Sequence, residues 1–409
     1  MAKPRKTTLH CDLAVAGAGP AGLATALLAA RAGLPVVHAA PPAHPDHRTF
    51  ALMAGAMRML QRIGAWDALL PHSAPLKRLR IIDDTGRLLR APTVEFDAAE
   101  IGLDAFAWNF PAAPLSDILS RLIGDEGNIT TIQAAASTCE PGADGCRLDL
   151  DDGTVVEAGV VAAADGRKSL CRDAAGISVR TWNYPQVAIV TTIAHSRDHM
   201  DTSTEFHRTT GPFTLVPLPG KLSSIVMAET AARAREIVEL ADADFAALIE
   251  QRSHRLLGRV SVAGPRGTFP LGGLLPEAFA RNRIALIGES GHVVPPIGAQ
   301  GLNLGLRDAA MLVECLEQHA DAATALSAYD RRRRGDVVSR SVAIDVLNRS
   351  LLSDLVPAQA LRALGLFALS RIEPLRRRVM SEGVAPSDTY LPAIMRPDPH
   401  EDADLSLAV

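Results

Sequence analysis

Six residues near the start of the chain, Gly17-Ala18-Gly19-Pro20-Ala21-Gly22, carry three glycines at the spacing G-x-G-x-x-G. An apolar run at 13–16 precedes them, an Ala/Leu-rich stretch follows at 21–32, and 35–38 is apolar again after Gly33. The order reads as strand, tight turn, helix, strand. The first glycine permits the turn, the second lets the backbone approach a pyrophosphate, and the third lets the helix pack close to the strand. The helix N-terminus then turns its partial positive charge toward the phosphates. One usual part is missing. The second strand should end in an acid that holds a ribose, but Ala39 or Ala40 stands there and the nearest acid is Asp46.

The same stretch invites another reading. Lys3, Arg5 and Lys6 precede the apolar residues 13–30, as in a secretory signal or membrane span. Three glycines and Pro20 make a poor spanning helix, and no other stretch is apolar for long enough to cross a bilayer. The expectation is a soluble chain, or one attached only at a membrane surface. Cys11, Cys139, Cys146, Cys171 and Cys315 are odd in number and form no C-x-x-C pair, which reads as a reduced cytosolic chain without disulfides or a zinc or other metal site. A net charge of −4 and 4% aromatic residues argue against a nucleic-acid partner.

With 409 residues, 47% of them hydrophobic, the chain suits two or so domains. Helical spacing marks 58–70, 115–123, 245–257 and 302–318, and the chain reads as mostly helical from there to about 382. Asp83-Asp84-Thr85-Gly86, with strands at 79–82 and 87–89, and Asp151-Asp152-Gly153, with strands at 147–150 and 154–156, are hairpin signatures. Buried strands are expected at 160–164 and 283–287, sheet at 187–194 and 213–227, and a loose acidic tail after Pro397. The fold class is α/β, with strand-rich pieces interrupting the nucleotide-binding ones. The expected division is 1–76, 109–180 and 265–345 for a Rossmann-like nucleotide-binding domain, 77–108 and 181–264 for an inserted mixed β-sheet substrate domain, and 346–409 for a helical C-terminal region and tail.

Two further motifs follow buried strands. Asp165-Gly166 either turns the chain close to a cofactor or is an ordinary Asp-Gly turn. The segment Gly288-Glu289-Ser290-Gly291-His292-Val293-Val294-Pro295-Pro296-Ile297-Gly298-Ala299-Gln300-Gly301-Leu302-Asn303 joins a strand end to a helix start. It offers backbone N–H groups and a helix dipole to something electron-rich, and the pyrimidine end of a reduced flavin is such a group. His292 reads either as a base or as a structural histidine.

In this order, the three motifs resemble those of the single-component flavoprotein aromatic hydroxylases with the para-hydroxybenzoate hydroxylase fold. The closer resemblance is to the ubiquinone-biosynthesis hydroxylase branch (UbiH/UbiF type, alphaproteobacterial-like). Arg48-Thr49-Phe50-Ala51-Leu52, residues 80–90, Glu100-Ile101-Gly102 and Ser370-Arg371-Ile372-Glu373-Pro374-Leu375-Arg376 support it. The resemblance implies FAD as cofactor, with Gly17, Gly19, Pro20, Ala21 and Gly22 at the pyrophosphate and Arg48 near the ribityl or phosphate part. Asp165 and Gly166 would lie where FAD and a transient NAD(P)H co-substrate both approach. Glu289 would stand where an Asp usually meets the ribityl chain. Pro296, Gly298, Ala299, Gln300, Gly301, Leu302 and Asn303 would line the isoalloxazine.

It also implies hydroxylation of a polyprenyl-phenol ring: NAD(P)H reduces the flavin, O₂ adds at its C4a, and an oxygen atom passes to the ring. Two alternatives stand beside this: a FAD hydroxylase of a soluble aromatic, and a non-catalytic accessory subunit with weakened FAD binding, which Ala40 and the longer Glu289 motivate. Residues 361–380 mix Leu361, Leu364, Leu366, Phe367, Leu369, Ile372 and Leu375 with Arg362, Arg371, Arg376, Arg377 and Arg378. They read either as a basic amphipathic helix on the inner membrane or as a helix packed on the core. The implied location is cytoplasmic or peripheral on that membrane, with other ubiquinone-biosynthesis proteins as further partners.

Overall fold

The computed structural model describes residues 7–42, 46–87, 90–352, 356–384 and 391–397. Lys3, Arg5 and Lys6, residues 88–89 of the first expected hairpin, and the acidic tail lie outside these. Among the described residues no helix is long and apolar enough to cross a membrane.

Five strands run parallel in the order Ile129–Ile132, Val36–Ala39, Thr8–Ala16, Val155–Ala163 and Ile284–Leu286. The central strands read as unbroken apolar runs because helices or further packing cover both faces. The Pro20–Arg31 helix is buried along almost its whole length and packs against Gln300–Gln318 and Ala112–Gly124. Its small side chains allow that approach: a Cβ on Gly305 would lie 3.2 Å from the Ala21 Cβ and 3.3 Å from the Gly288 Cα.

Three local expectations change. The second hairpin strand and the buried strand after it are one element, Val155–Ala163. Gly159 lies between them but is not among the glycines with positive φ, so the chain stays extended through it. The first half of this strand pairs antiparallel with Cys146–Leu150 and its end runs parallel to Ile284–Leu286. The helix expected at 58–70 is two, Ala54–Arg62 and Trp66–Leu69, interrupted where Gly64 takes φ +68°. The segment 361–380 is also broken, into Val356–Arg371 and Glu373–Val384. Pro374 has no N–H to extend the first helix and sits in the opening turn of the second.

A second sheet holds Val260–Val262, Val179–His195, Leu222–Thr230, Gly211–Leu218, Thr202–Arg208, Arg78–Asp83 and Val94–Asp97 in that order. The strand Gly267–Pro276, counted by the sequence division with the nucleotide-binding pieces, also pairs with Val179–His195. Helices Ala231–Glu239 and Asp242–Arg252 cover one face through Phe206, Phe213, Ile225, Ile237, Phe245 and Ile249. The other face looks toward a small sheet of Thr49–Met53, Ala107–Pro111 and Ala74–Leu76, where Asn109 Nδ2 donates to the Pro217 carbonyl at 2.8 Å.

Candidate active site

Three of the parallel strands end side by side, and each releases one of the three sequence motifs. Ala16 leads into the glycine loop, Ala163 into Asp165-Gly166, and Leu286 into Gly288-Glu289. In open α/β sheets this carboxyl edge is where ligands bind.

The glycines divide their work as their spacing suggests. Gly17 has φ +135°, and a Cβ there would lie 2.1 Å from the Ala164 carbonyl oxygen. A Cβ on Gly22 would lie 2.7 Å from the Gly17 oxygen. Both are glycine because the protein's own backbone fills the space. At Gly19 a Cβ would meet nothing within 4 Å, so that side of the loop is open for a ligand. Gly19 caps the helix, with Pro20 in its first turn.

The loop has a support the sequence did not advertise. His38, 2% exposed, sits with Nε2 3.0 Å from the Gly17 carbonyl oxygen. A carbonyl only accepts, so Nε2 carries the hydrogen and Nδ1 is left without a partner. Burial pushes the His38 pKa down, against the Gly17 hydrogen bond, and favours the neutral ring. Ala40, where a ribose-binding acid is usual, is buried, and its N–H goes to the Ile132 carbonyl. Asp46 is committed elsewhere: its carboxylate takes Nε and Nη2 of Arg48 at 2.9 and 2.7 Å. Burial would raise the Asp46 pKa, but the Arg48 hydrogen bonds outweigh this and hold it low.

Arg48 Nη1 also reaches Glu289 Oε1 at 3.4 Å, joining two expected cofactor residues 241 positions apart. Glu289, Pro296, Gly298 and Gly301 are exposed along the same loop, while Gly22, Gln300 and Asn303 are buried. Ala299 takes a left-handed φ of 52° as it caps the Gln300–Gln318 helix. Asn303 is fully engaged: Oδ1 accepts from Met53 N, and Nδ2 donates to the Ala51 and Ala299 carbonyls. It ties the helix start to the Thr49–Met53 strand. Gln300 Oε1 accepts from Arg340 at 3.3 Å, and Leu302 packs on the core.

Asp165 Oδ2 accepts from Cys171 N at 3.1 Å, and its Oδ1 is buried without a partner. An orphaned carboxylate oxygen costs about 1–3 kcal/mol unless a ligand or water meets it. With the open face at Gly19 and the exposed backbone at Gly298 and Gly301, this donor and acceptor set suits a dinucleotide carrying a ring system.

Beneath the Gly288 loop lies a charge network of which the sequence suggests only a local capping or pairing role for Arg307-Asp308; the partners Arg333 and Asp336 come from the next helix. Asp308 is fully buried. Its Oδ2 accepts from Gly288 N and His292 Nε2 at 2.9 and 2.7 Å, and its Oδ1 from Arg333 Nε at 2.6 Å. Burial would raise its pKa, but the charge of Arg333 and its other partners hold it low. Asp336 gathers Arg307, Arg333 and Arg340 at 2.5, 2.6 and 2.8 Å. His292, 2% exposed, is therefore a structural residue of this network. The run Asp330-Arg331-Arg332-Arg333-Arg334-Gly335-Asp336 looks like a solvated face. Only the three-residue step from Arg333 to Asp336 hinted that one turn of it points inward.

Residues 10–343 match the family described as "FAD binding domain". The chain is 32% identical over 383 residues to the ubiquinone hydroxylase UbiL of Rhodospirillum rubrum, covering 90% of this chain and 88% of that protein. It is 28% identical to the 3-demethoxyubiquinol 3-hydroxylase of Escherichia coli, covering 91% of this chain and 98% of that one. Among solved structures, the fold is shared with p-nitrophenol 4-monooxygenase PnpA from Pseudomonas putida, at a TM-score of 0.75, 20% identity, and 92% and 98% of the two chains. It is shared also with Klebsiella pneumoniae HpxO complexed with FAD and uric acid, at a TM-score of 0.74, 17% identity, and 92% and 97% coverage. The chain thus belongs to the FAD-binding family of flavoprotein monooxygenases, in the company of the ubiquinone-biosynthesis hydroxylases.

Proposed function

We propose that this protein hydroxylates the aromatic ring of a polyprenylated phenol in ubiquinone biosynthesis, using O₂ and NAD(P)H. The observation that carries this reading is the apposition of the cofactor loop and the second sheet. Val216 of that sheet and Ala299 of the loop pack against the same cluster of Ala51, Leu76 and Ala107. A flat ring held there lies between a flavin and a wall of strands.

In this reading Gly17, Gly19, Pro20, Ala21 and Gly22 hold the pyrophosphate, and Arg48 and Glu289 hold the ribityl region. Pro296, Gly298, Ala299, Gln300, Gly301, Leu302 and Asn303 border the isoalloxazine, through backbone where the side chains are buried or engaged. Asp165 offers its unpaired oxygen, with Gly166 beside it, where nicotinamide and flavin approach each other. When bound, FAD takes two electrons from NAD(P)H and activates O₂. The chain's own part is to orient the ring and keep water from the reacting atoms.

The C-terminal helices fit a membrane-borne substrate. Leu366 and Met380 pack on Val94 and Phe96, while Leu361, Leu364, Phe367, Ile372, Leu375 and Val379 are exposed beside Arg371, Arg377 and Arg378. An apolar patch edged with arginine suits an anionic lipid surface. FAD titration followed by NAD(P)H oxidation with and without a prenylated phenol tests the reading. Stimulation by the phenol and loss of a ubiquinone intermediate step in a deletion strain support it. Unchanged ubiquinone in that strain sinks the substrate assignment, and a protein that takes up no FAD favours the accessory role.

A further inference from the structure

The second sheet presents two faces of opposite character. Phe206, Phe213 and Leu215 point to the face covered by helices Ala231–Glu239 and Asp242–Arg252. Strand alternation sends Glu205, His207, Thr214 and Val216 to the other face, where Val216 meets the cluster it shares with Ala299. Glu205 lies opposite Thr214 in the antiparallel register, one pleat from Val216. The polar residues Glu205, His207 and Thr214 therefore stand on the side of the sheet that looks toward the cofactor loop.

Their contacts form a small unit. His207 is 3% exposed, and its Nε2 lies 2.8 Å from Glu205 Oε1. A carboxylate accepts, so Nε2 donates. The Thr214 hydroxyl reaches Glu205 Oε2 only at 3.5 Å, which leaves that oxygen weakly engaged. The neighbouring Asp83, opposite His207 in the parallel register, spends its carboxylate on Thr85 and the Ala91 N–H. His207 Nδ1 has no partner. Glu205 keeps a quarter of its side chain accessible while the histidine behind it is buried. A half-open carboxylate backed by a buried donor, on the face it shares with Val216, is suited to receive one O–H group.

Resting on the hydroxylase reading above, we infer that Glu205 is the residue that receives the phenolic hydroxyl of the substrate, with His207 as its positioning residue. Glu205 Oε2 accepts the ring O–H as a hydrogen bond and, as the ring reacts, takes its proton. The phenol O–H bond breaks, the Glu205 O–H bond forms, and the electron pair left on oxygen enriches the ring toward an electrophilic oxygen. No further oxidant or reductant enters this step. His207 fixes the carboxylate so that Oε2, not Oε1, faces the ring.

The test compares a phenol carrying two isoprene units with its methyl ether, which has the same shape but no O–H. Both are titrated into the FAD-loaded protein and binding is read from the flavin absorbance. Wild type is expected to prefer the phenol by at least tenfold. Glu205→Gln is expected to lose that preference, with FAD affinity and melting temperature unchanged. His207→Phe should lose most of it, and His207→Gln, whose amide can still donate to Glu205, should restore it. A Glu205→Gln protein that keeps the wild-type preference overturns the assignment alone. Failure of wild type to bind either compound overturns the substrate reading and this assignment with it.

Discussion

Arg48 stands between two carboxylates and binds them unequally: Nη2 meets Asp46 at 2.7 Å, whereas Nη1 meets Glu289 at 3.4 Å. Asp46 therefore fixes the guanidinium and Glu289 stays the looser partner, about half exposed. Removing Glu289 should cost the fold little. Glu289→Ala is expected to leave folding stability within the range of ordinary surface changes, about 0.5 kcal/mol, while weakening FAD binding about tenfold, or ~1.4 kcal/mol. Fluorescence quenching on FAD titration measures the second effect and thermal melting the first.

Gly17 and Gly19 should fail in different ways. Gly17→Ala drives a Cβ into the Ala164 backbone at a positive φ, so the variant is expected to lose folded protein altogether. Gly19→Ala meets no atom of the protein within 4 Å. It should fold with a wild-type melting temperature and bind FAD poorly. A Gly19→Ala protein with unimpaired FAD uptake would show that the open side of the loop is not the phosphate side.

His38 gives the loop a pH dependence of definite sign. Burial holds its pKa below the ordinary 6.5. Between the folded value and 6.5, the unfolded chain binds a proton that the folded one does not, so stability rises with pH there. The contribution is complete above the ordinary value and is lost as pH falls through that window. His38→Gln should flatten the pH dependence of the melting temperature in this region; an unchanged slope would assign it to another group.

Asp308 carries the heaviest structural duty. Asp308→Asn leaves Arg333 with Asp336, already shared by Arg307 and Arg340, as its buried carboxylate partner, and removing one member of a buried charge network of this kind costs up to about 3–5 kcal/mol. The melting temperature should fall by many degrees. Because Asp308 also anchors Gly288 N, hydrogen exchange should quicken first at Gly288 and His292.

Replacing Leu361, Leu364 and Phe367 together with Ser tests the membrane surface. All three are exposed, so folding should be unaffected. Co-sedimentation with phosphatidylglycerol vesicles is expected to drop at least tenfold, since each buried apolar side chain is worth roughly 1.5–3 kcal/mol. Equal sedimentation of variant and wild type would place membrane contact elsewhere.

Much of the loop geometry at the strand ends was legible because its signals are local. The turn at Gly17, the Asp165-Gly166 turn and the Gly288 loop each announce themselves through glycine and proline next to an apolar strand. What stayed hidden depends on partners far along the chain. Nothing near His38 says that its ring will meet Gly17, 21 residues earlier. Nothing near Arg333 says that it will be buried against Asp308. The single strand Val155–Ala163 was divided because Gly159 imitates a turn, and only pairing with Thr8–Ala16 keeps it straight. Glu205 and His207 were passed over because a Glu two residues before a His is ordinary in any strand.

The convergence of three strand ends at one edge also sets an order of events. The glycine loop emerges early in synthesis, but the strand that leads into Glu289 and the helix that begins at Gln300 come more than 260 residues later. A nascent chain halted before Ile284 has the loop without its third neighbour, without the Asp308 anchor and without the Asn303 tie to Met53. The cradle is thus a contact of high sequence separation, and its completion depends on residues encoded at opposite ends of the same message.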